Sequence, residues 1–248
     1  MKSRLLLVAI GLLLVPLAVC GGKKEKEKEA AAAGKVVDSG SFGVFLQGRR
    51  IGTETFNIEQ KPDMSVAKAE VKIDDGTSKA TQNSELKILP NGNLQRYQWK
   101  ETTPEKAETS VEYKDQFLVQ LVGTGQDKPQ ERAYMLPPST MILDDNFFSH
   151  REILLWRYVA SACGGTTQPT GCRIERGQFG VFVPHQQSSV TVTMEYKGKE
   201  KVPVRGTEVE LDHFTMNTDG VEWALWMDSG FKVQLMQIPS EHVEVVRD

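Results

Sequence analysis

Val221-Glu222-Trp223-Ala224-Leu225-Trp226-Met227 lies between two turn signals, Asp219-Gly220 and Asp228-Ser229-Gly230. Val221, Trp223, Leu225 and Met227 share one parity, and Phe231, Val233 and Leu235 continue that period beyond the second turn. Period two with aromatic and β-branched residues, broken by Asp-Gly, is the pattern of consecutive antiparallel strands. The other parity carries Trp226, Met236 and Ile238, so this part of the sheet is apolar on both faces. Such a sheet needs a second packed layer or an apolar ligand.

Similar runs recur upstream. Ser41–Gln47 alternates through Phe42, Val44 and Leu46 and turns at Gly48-Arg49-Arg50. Runs follow at 51–59, 65–73 and 77–89, the last ending at Pro90-Asn91-Gly92-Asn93, where Asn-Gly tolerates the positive φ of a hairpin turn. Runs at 94–102, 108–114 and 116–122 continue the meander, with Lys, Glu, Thr and Gln between the apolar positions, so one face is solvated there. The period changes once. Asp144-Asp145-Asn146 offers N-cap chemistry, and residues 147–158 place apolar side chains at helical spacing before Gly164-Gly165. Ile153 to Trp156 is apolar nearly all round, which predicts a helix buried against the sheet. Strands resume at 179–184, 190–196, 207–214 and 242–246. The fold class expected is mostly β (α+β), a curved antiparallel sheet in the form of a β-roll or half-barrel with one packed central helix.

Three segments divide the chain. Residues 1–22 read as an export signal, with Lys2 and Arg4 before an apolar run from Leu5 to Val15 and small residues at 18, 20, 21 and 22. Leu17-Ala18-Val19-Cys20 resembles a lipoprotein box, with Val19 where Gly, Ala or Ser is usual, so Cys20 is either lipidated or the point of plain cleavage. Residues 23–39 form a charged, Ala-rich tether, and 40–248 a single domain. The expected location is the periplasm or the membrane-anchored cell envelope. In that oxidising setting Cys163 and Cys172, flanking a turn-rich loop, are expected to form a disulfide worth about 2.5–3 kcal/mol.

At 39% hydrophobic and 25% charged residues the composition is that of a globular domain. The net charge of -3, with no basic arm in the body, argues against a nucleic-acid partner. The sequence sets no oligomeric state.

Three stretches resemble a secreted bacterial family of unknown function with a spiral β-roll. They are Gly48-Arg49-Arg50-Ile51-Gly52-Thr53-Glu54, Ile142-Leu143-Asp144-Asp145-Asn146-Phe147, and Trp223-Ala224-Leu225-Trp226-Met227-Asp228 with Glu244-Val245-Val246-Arg247. The architecture is similar to the half-barrels of periplasmic lipoprotein carriers, where a curved sheet wraps a helical lid over an apolar groove. The resemblance implies a non-enzymatic envelope protein that binds lipid, another apolar molecule or an envelope partner.

Catalytic readings are few. Asp38-Ser39-Gly40 and Asp228-Ser229-Gly230 match the Asp-Ser/Thr-Gly of aspartic proteases, but the second copy has the chemistry of a hairpin tip. A secreted hydrolase is therefore the alternative reading, and a purely structural envelope module a third. His150, His185, His213 and His242 lack ligand spacing, and Ser149-His150 beside Glu152 does not make a triad, since neighbours on a helix do not face each other. Neither a cofactor nor a metal is called for. Trp156, Met194, Trp226 and Met236 are the candidate ligand-binding residues, expected on a face not consumed by the core.

Overall fold

The computed structural model describes residues 34–124, 128–164, 173–218 and 220–248. Its strands pair in an order that dictates their curvature. β1 (Lys35–Leu46), β2 (Arg49–Gln60), β3 (Ser65–Asp74), β4 (Lys79–Ile88), β5 (Leu94–Thr103), β6 (Ala107–Lys114), β7 (Phe117–Thr124) and β8 (Gln130–Tyr134) form one antiparallel meander. β10 (Gly177–Val183), β11 (Ser188–Val204), β12 (Thr207–Thr218), β13 (Val221–Met227), β14 (Val233–Ile238) and β15 (Val243–Arg247) form the second, and the short β9 (Met141–Ile142) pairs in parallel along the outer side of β10. β1 pairs with β15, which joins the two meanders into a single 15-stranded sheet with β8 and β9 at its edges.

Those two edges are neighbours in sequence, separated only by Met135–Thr140. A flat sheet of this size would hold them about 65 Å apart at the usual strand spacing. The connection spans at most about 25 Å. The sheet must therefore curl until its edges approach. Contacts across the gap agree: the Tyr134 and Phe182 rings lie 4.8 Å apart, Gln120 Nε2 donates to the Pro184 carbonyl at 2.8 Å, and the Tyr113 hydroxyl donates to the Pro137 carbonyl. The architecture is mostly β, an open antiparallel sheet curved like a barrel around one helix, as the alternation predicts.

The helix, α1, runs over Ser149–Ala162 on the concave side. Leu154, Leu155, Tyr158 and Val159 pack with Phe42, Leu86, Val192, Phe214 and other inward residues of both meanders in one core. Its N-terminus differs from expectation. Asp144 Oδ1 accepts the Asn146 N–H at 2.9 Å, which makes a turn rather than a cap. The amides of Phe148 and Ser149 instead donate to the Glu54 carboxylate at 2.5 and 3.2 Å. A helix that starts inside a curved sheet has no water for its orphan N–H groups, so the acceptor comes from β2.

The convex face carries an apolar set of its own, Ala224, Trp226 and Leu235, whereas Met236 and Ile238, read with Trp226 as one parity, lie in the main core. β12 pairs with β13 only between Asp212 and Thr218, so the rest of the β11–β12 hairpin projects as a free ribbon. A bulge between Tyr196 and Gly198, with Gly198 at φ +102°, breaks its register, and Arg205 at its tip donates to the Arg247 carbonyl on β15. The ribbon thus lies across β13 and β14. Val202 and Leu211 cover Ala224, Trp226 and Leu235 in a separate small core. The second layer is the chain's own hairpin.

One boundary and two strands also differ from expectation. β1 begins at Lys35, inside the stretch read as tether, because Val36 pairs with Glu59 and Asp38 with Ile58. β8 and β9 carried no sequence signal, one being polar and the other two residues long.

Candidate functional site

Toward its C-terminus α1 emerges from the sheet, and a cavity of about 770 Å³ opens beside it. Ile58 of β2, Ala67 of β3, Ile88 of β4 and Met141 of β9 line it together with Ile153, Trp156 and Ala160 of the helix. Its volume falls in the range of small-molecule sites.

Two turns hold its rim. In the first, Asp228 Oδ1 accepts the N–H groups of Gly230 at 2.8 Å and Lys232 at 3.0 Å, and its other oxygen accepts Gln234 Nε2 at 2.6 Å. This fixes Phe231 at φ +63°, where its carbonyl accepts the Trp156 indole N–H at 2.6 Å. In the second, the Arg157 guanidinium donates to the Gly92 carbonyl. Gly92 stands at φ +81°, and a Cβ there would come within 2.6 Å of Arg157 Nη1, so the turn and the cation interlock only with glycine at this position.

Beneath this rim lies a buried charge cluster. Arg247 Nη2 bonds Asp38 Oδ2 at 2.6 Å and Glu152 Oε1 at 2.9 Å, while its Nε donates to the Val233 carbonyl at 2.7 Å. Glu152 Oε1 also accepts the Val233 N–H at 2.9 Å, and Lys232 Nζ sits 2.7 Å from Asp38 Oδ1. Burial pushes the Asp38 carboxyl up, but Arg247 and Lys232 outweigh it and hold it below its usual value. Burial dominates at Glu152 and drives its carboxyl well above the carboxylate range despite Arg247. The two Asp-Ser-Gly copies therefore serve different networks. Asp38 joins an ion cluster and Asp228 caps its own turn, and among the described residues no hydrogen bond joins their carboxylates.

At the N-terminal end of α1 a second cavity, about 600 Å³, is lined by Val44, Ile51, Val71, Phe148, Trp223 and Arg151, with the acids Asp145 and Glu241. Arg151 lies 4.0 Å under the Trp223 ring and donates to the Asp144 and Phe147 carbonyls at 3.3 and 3.2 Å. Nearby, the Tyr97 hydroxyl donates to Asp144 Oδ2, which also meets His185 Nδ1 at 3.1 Å. Burial opposes charging His185, but Asp144 overrides it and raises the imidazole, and Asp144 is itself held low by His185 against its burial. His150 is buried and falls to about 4, and its Nδ1 accepts the Asp144 N–H at 3.3 Å. It is a neutral packing histidine near pH 7.

The four candidate ligand residues do not converge. Trp156 lines the larger cavity. Met194 and Met236 are 0% exposed in the main core. Trp226 lies in the other core, on the opposite face from Met236, stacked on His213 at 4.8 Å and donating to Glu200 Oε2 at 2.9 Å. The expectation that Trp226 and Met236 share a groove with Trp156 is corrected by this placement: although they share a parity in the sequence, the β13–β14 register sets Met236 opposite Leu225 and Trp226 opposite Leu235, so the two side chains face opposite sides. Cys163 is disulfide-bonded at the end of α1, while Cys172 and Cys20 lie outside the described residues. No group of three or more His, Cys, Asp or Glu able to hold a metal occurs among the described residues. Lys61, Phe231 and Lys232 of the rim were missed, because they come from turns far apart in sequence and carry no local pattern.

No family model matches the chain, and no curated protein matches it. Among solved structures, a beta-barrel-like protein of domain of unknown function DUF1849 from Brucella abortus is similar. Its TM-score is 0.53 at 10% identity, covering 85% of this chain and 94% of that one, which establishes a shared beta-barrel-like fold and nothing finer.

Proposed function

We propose that this chain is an exported cell-envelope protein that binds an apolar ligand without catalysis, in the cavity beside Trp156. The carrying observation is the cavity itself: about 770 Å³, open to solvent, floored by Ile58, Ala67, Ile88 and Ile153 and walled by Trp156 and Phe231. Filling it with hydrocarbon removes apolar surface from water, about 0.8 kcal/mol for each methylene buried. In this reading residues 1–22 direct export, Cys20 either anchors the protein or is removed, and Cys163 pairs with Cys172. Thiol labelling of denatured, unreduced protein tests that pairing, with two free thiols counting against it.

The direct test of the binding reading is native mass spectrometry of protein from the envelope, followed by titration with an environment-sensitive apolar dye. Co-purifying lipid, or saturable dye binding that a lipid displaces, is the expected result. A protein that carries no lipid and binds no dye is instead a structural or partner-binding module.

A further inference from the structure

The larger cavity has an electrostatic asymmetry. Three cations, Lys61, Arg157 and Lys232, are among its lining residues, and no aspartate or glutamate is. Lys232 commits its charge in part to Asp38. Arg157 is bonded to a neutral carbonyl, and among the described residues no carboxylate lies within ion-pair distance of Lys61 or Arg157. The second cavity differs, since Arg151 there is accompanied by Asp145 and Glu241.

Charges beside an apolar chamber interact more strongly than in bulk water, and a cation kept there without a counter-charge costs free energy. An anion entering with the ligand offsets that cost through charge-assisted hydrogen bonds to the ammonium and guanidinium groups. The floor offers such an anion nothing, because it is hydrocarbon. The two surfaces together fit a molecule with one acidic end and one long apolar end.

We infer that the ligand is an acid-headed amphiphile, a hydrocarbon chain ending in a carboxylate or phosphate, lying chain-inward with its head among Lys61, Arg157 and Lys232. This deepens the apolar-ligand reading and rests on it. Arg157 has a second task, holding the Pro90–Gly92 turn, so Lys61 is the cleaner probe of the head-group contact.

The experiment compares the binding of laurate, dodecyl phosphate, dodecanol, dodecyltrimethylammonium and acetate to the full mature protein by calorimetry at pH 8. Laurate and dodecyl phosphate should bind about tenfold more tightly than dodecanol, the cationic amphiphile should bind most weakly, and acetate should not compete. Lys61→Gln should weaken laurate about threefold to fivefold and leave dodecanol unchanged, and Lys61→Glu should weaken laurate further. Equal affinities for the charged and neutral twelve-carbon chains, or full laurate affinity in Lys61→Glu, overturn the head-group assignment while leaving an apolar pocket. Competition by acetate at the same concentration overturns the amphiphile, since the chain would then contribute nothing. Binding of none of the probes overturns the cavity reading itself.

Discussion

From Ser149 to Leu155 every helical residue is buried, including the consecutive polar residues Ser149, His150, Arg151 and Glu152, whereas Trp156, Arg157, Ala160 and Ser161 reach the open cavity. The enclosed half is fixed by polar groups from distant strands: Glu54 holds the first amides and Arg247 holds Glu152. The open half ties its cavity-facing residues to turns, Trp156 to Phe231 and Arg157 to Gly92, while Tyr158 and Val159 on its inner side stay in the core and the Tyr158 hydroxyl donates to the Glu175 carbonyl at 2.8 Å. The contrast follows from the sheet, which wraps one end of the helix and releases the other.

The largest effect should come from breaking the sealed cluster. Arg247→Ala leaves Asp38 with Lys232 as its one remaining cation, takes the guanidinium donor from the buried Glu152 and removes the cation packed 5.1 Å from the Phe42 ring centre. Breaking a buried ion pair by deleting one partner costs about 3–5 kcal/mol. Denaturant unfolding should show a loss of that size, and a loss near zero would mean that the cluster does not hold the helix in place.

Next comes Glu54. Its carboxyl is raised from 4.5 to about 7, chiefly by burial, against the amides of Phe148 and Ser149 and the charge of Arg151. A raised folded-state value favours the protonated native protein, so this contribution is fully present below about pH 4.5, fades as pH rises through about 7 and is flat above. The shift corresponds to something on the order of 3 kcal/mol across that window. Stability curves of wild type and Glu54→Gln should therefore diverge between those pH values and run parallel outside them. Parallel curves throughout would show that Glu54 titrates normally and the helix start is wet.

On the convex face, Trp226→Gln should cost about 2–3 kcal/mol through the ribbon core it fills, with ligand affinity unchanged. A binding defect without a stability defect would reverse the assignment of that tryptophan. The smallest stability change is expected at the open end. Trp156→Gln should cost about 1 kcal/mol for its lost bond to Phe231, yet weaken an apolar probe about tenfold in a fluorescence titration.

Much of the strand pattern was legible because it is local. Period two at Phe42, Val44 and Leu46, Asn-Gly before Leu94 and Asp-Gly before Val221 each report a strand or turn within a few residues. The helix was legible too, through apolar residues at 153–155 and 158–159, although its start shifted because its cap is 94 residues away in sequence. Edge strands were not, since β8 pairs along one side only and buries little, so no alternation is required of it.

The sequence by itself determined the elements other than the edge strands β8 and β9, the class of fold and the fact that the last strands are apolar on both faces. Tertiary structure decided how each demand was met. Parity grouped Trp226 with Met236, but the β13–β14 register placed them on opposite sides, and only the fold-back of the β11–β12 ribbon made the outer side a core instead of a binding face. Likewise Lys61, Arg157 and Lys232 are three unremarkable surface cations in the sequence. They become one rim only because the sheet curls and brings the β2–β3 turn, the helix and the β13–β14 turn around the same opening. Alternation is a property of neighbouring residues, whereas a cavity is a property of the closure of the sheet, and no short stretch of sequence encodes that closure.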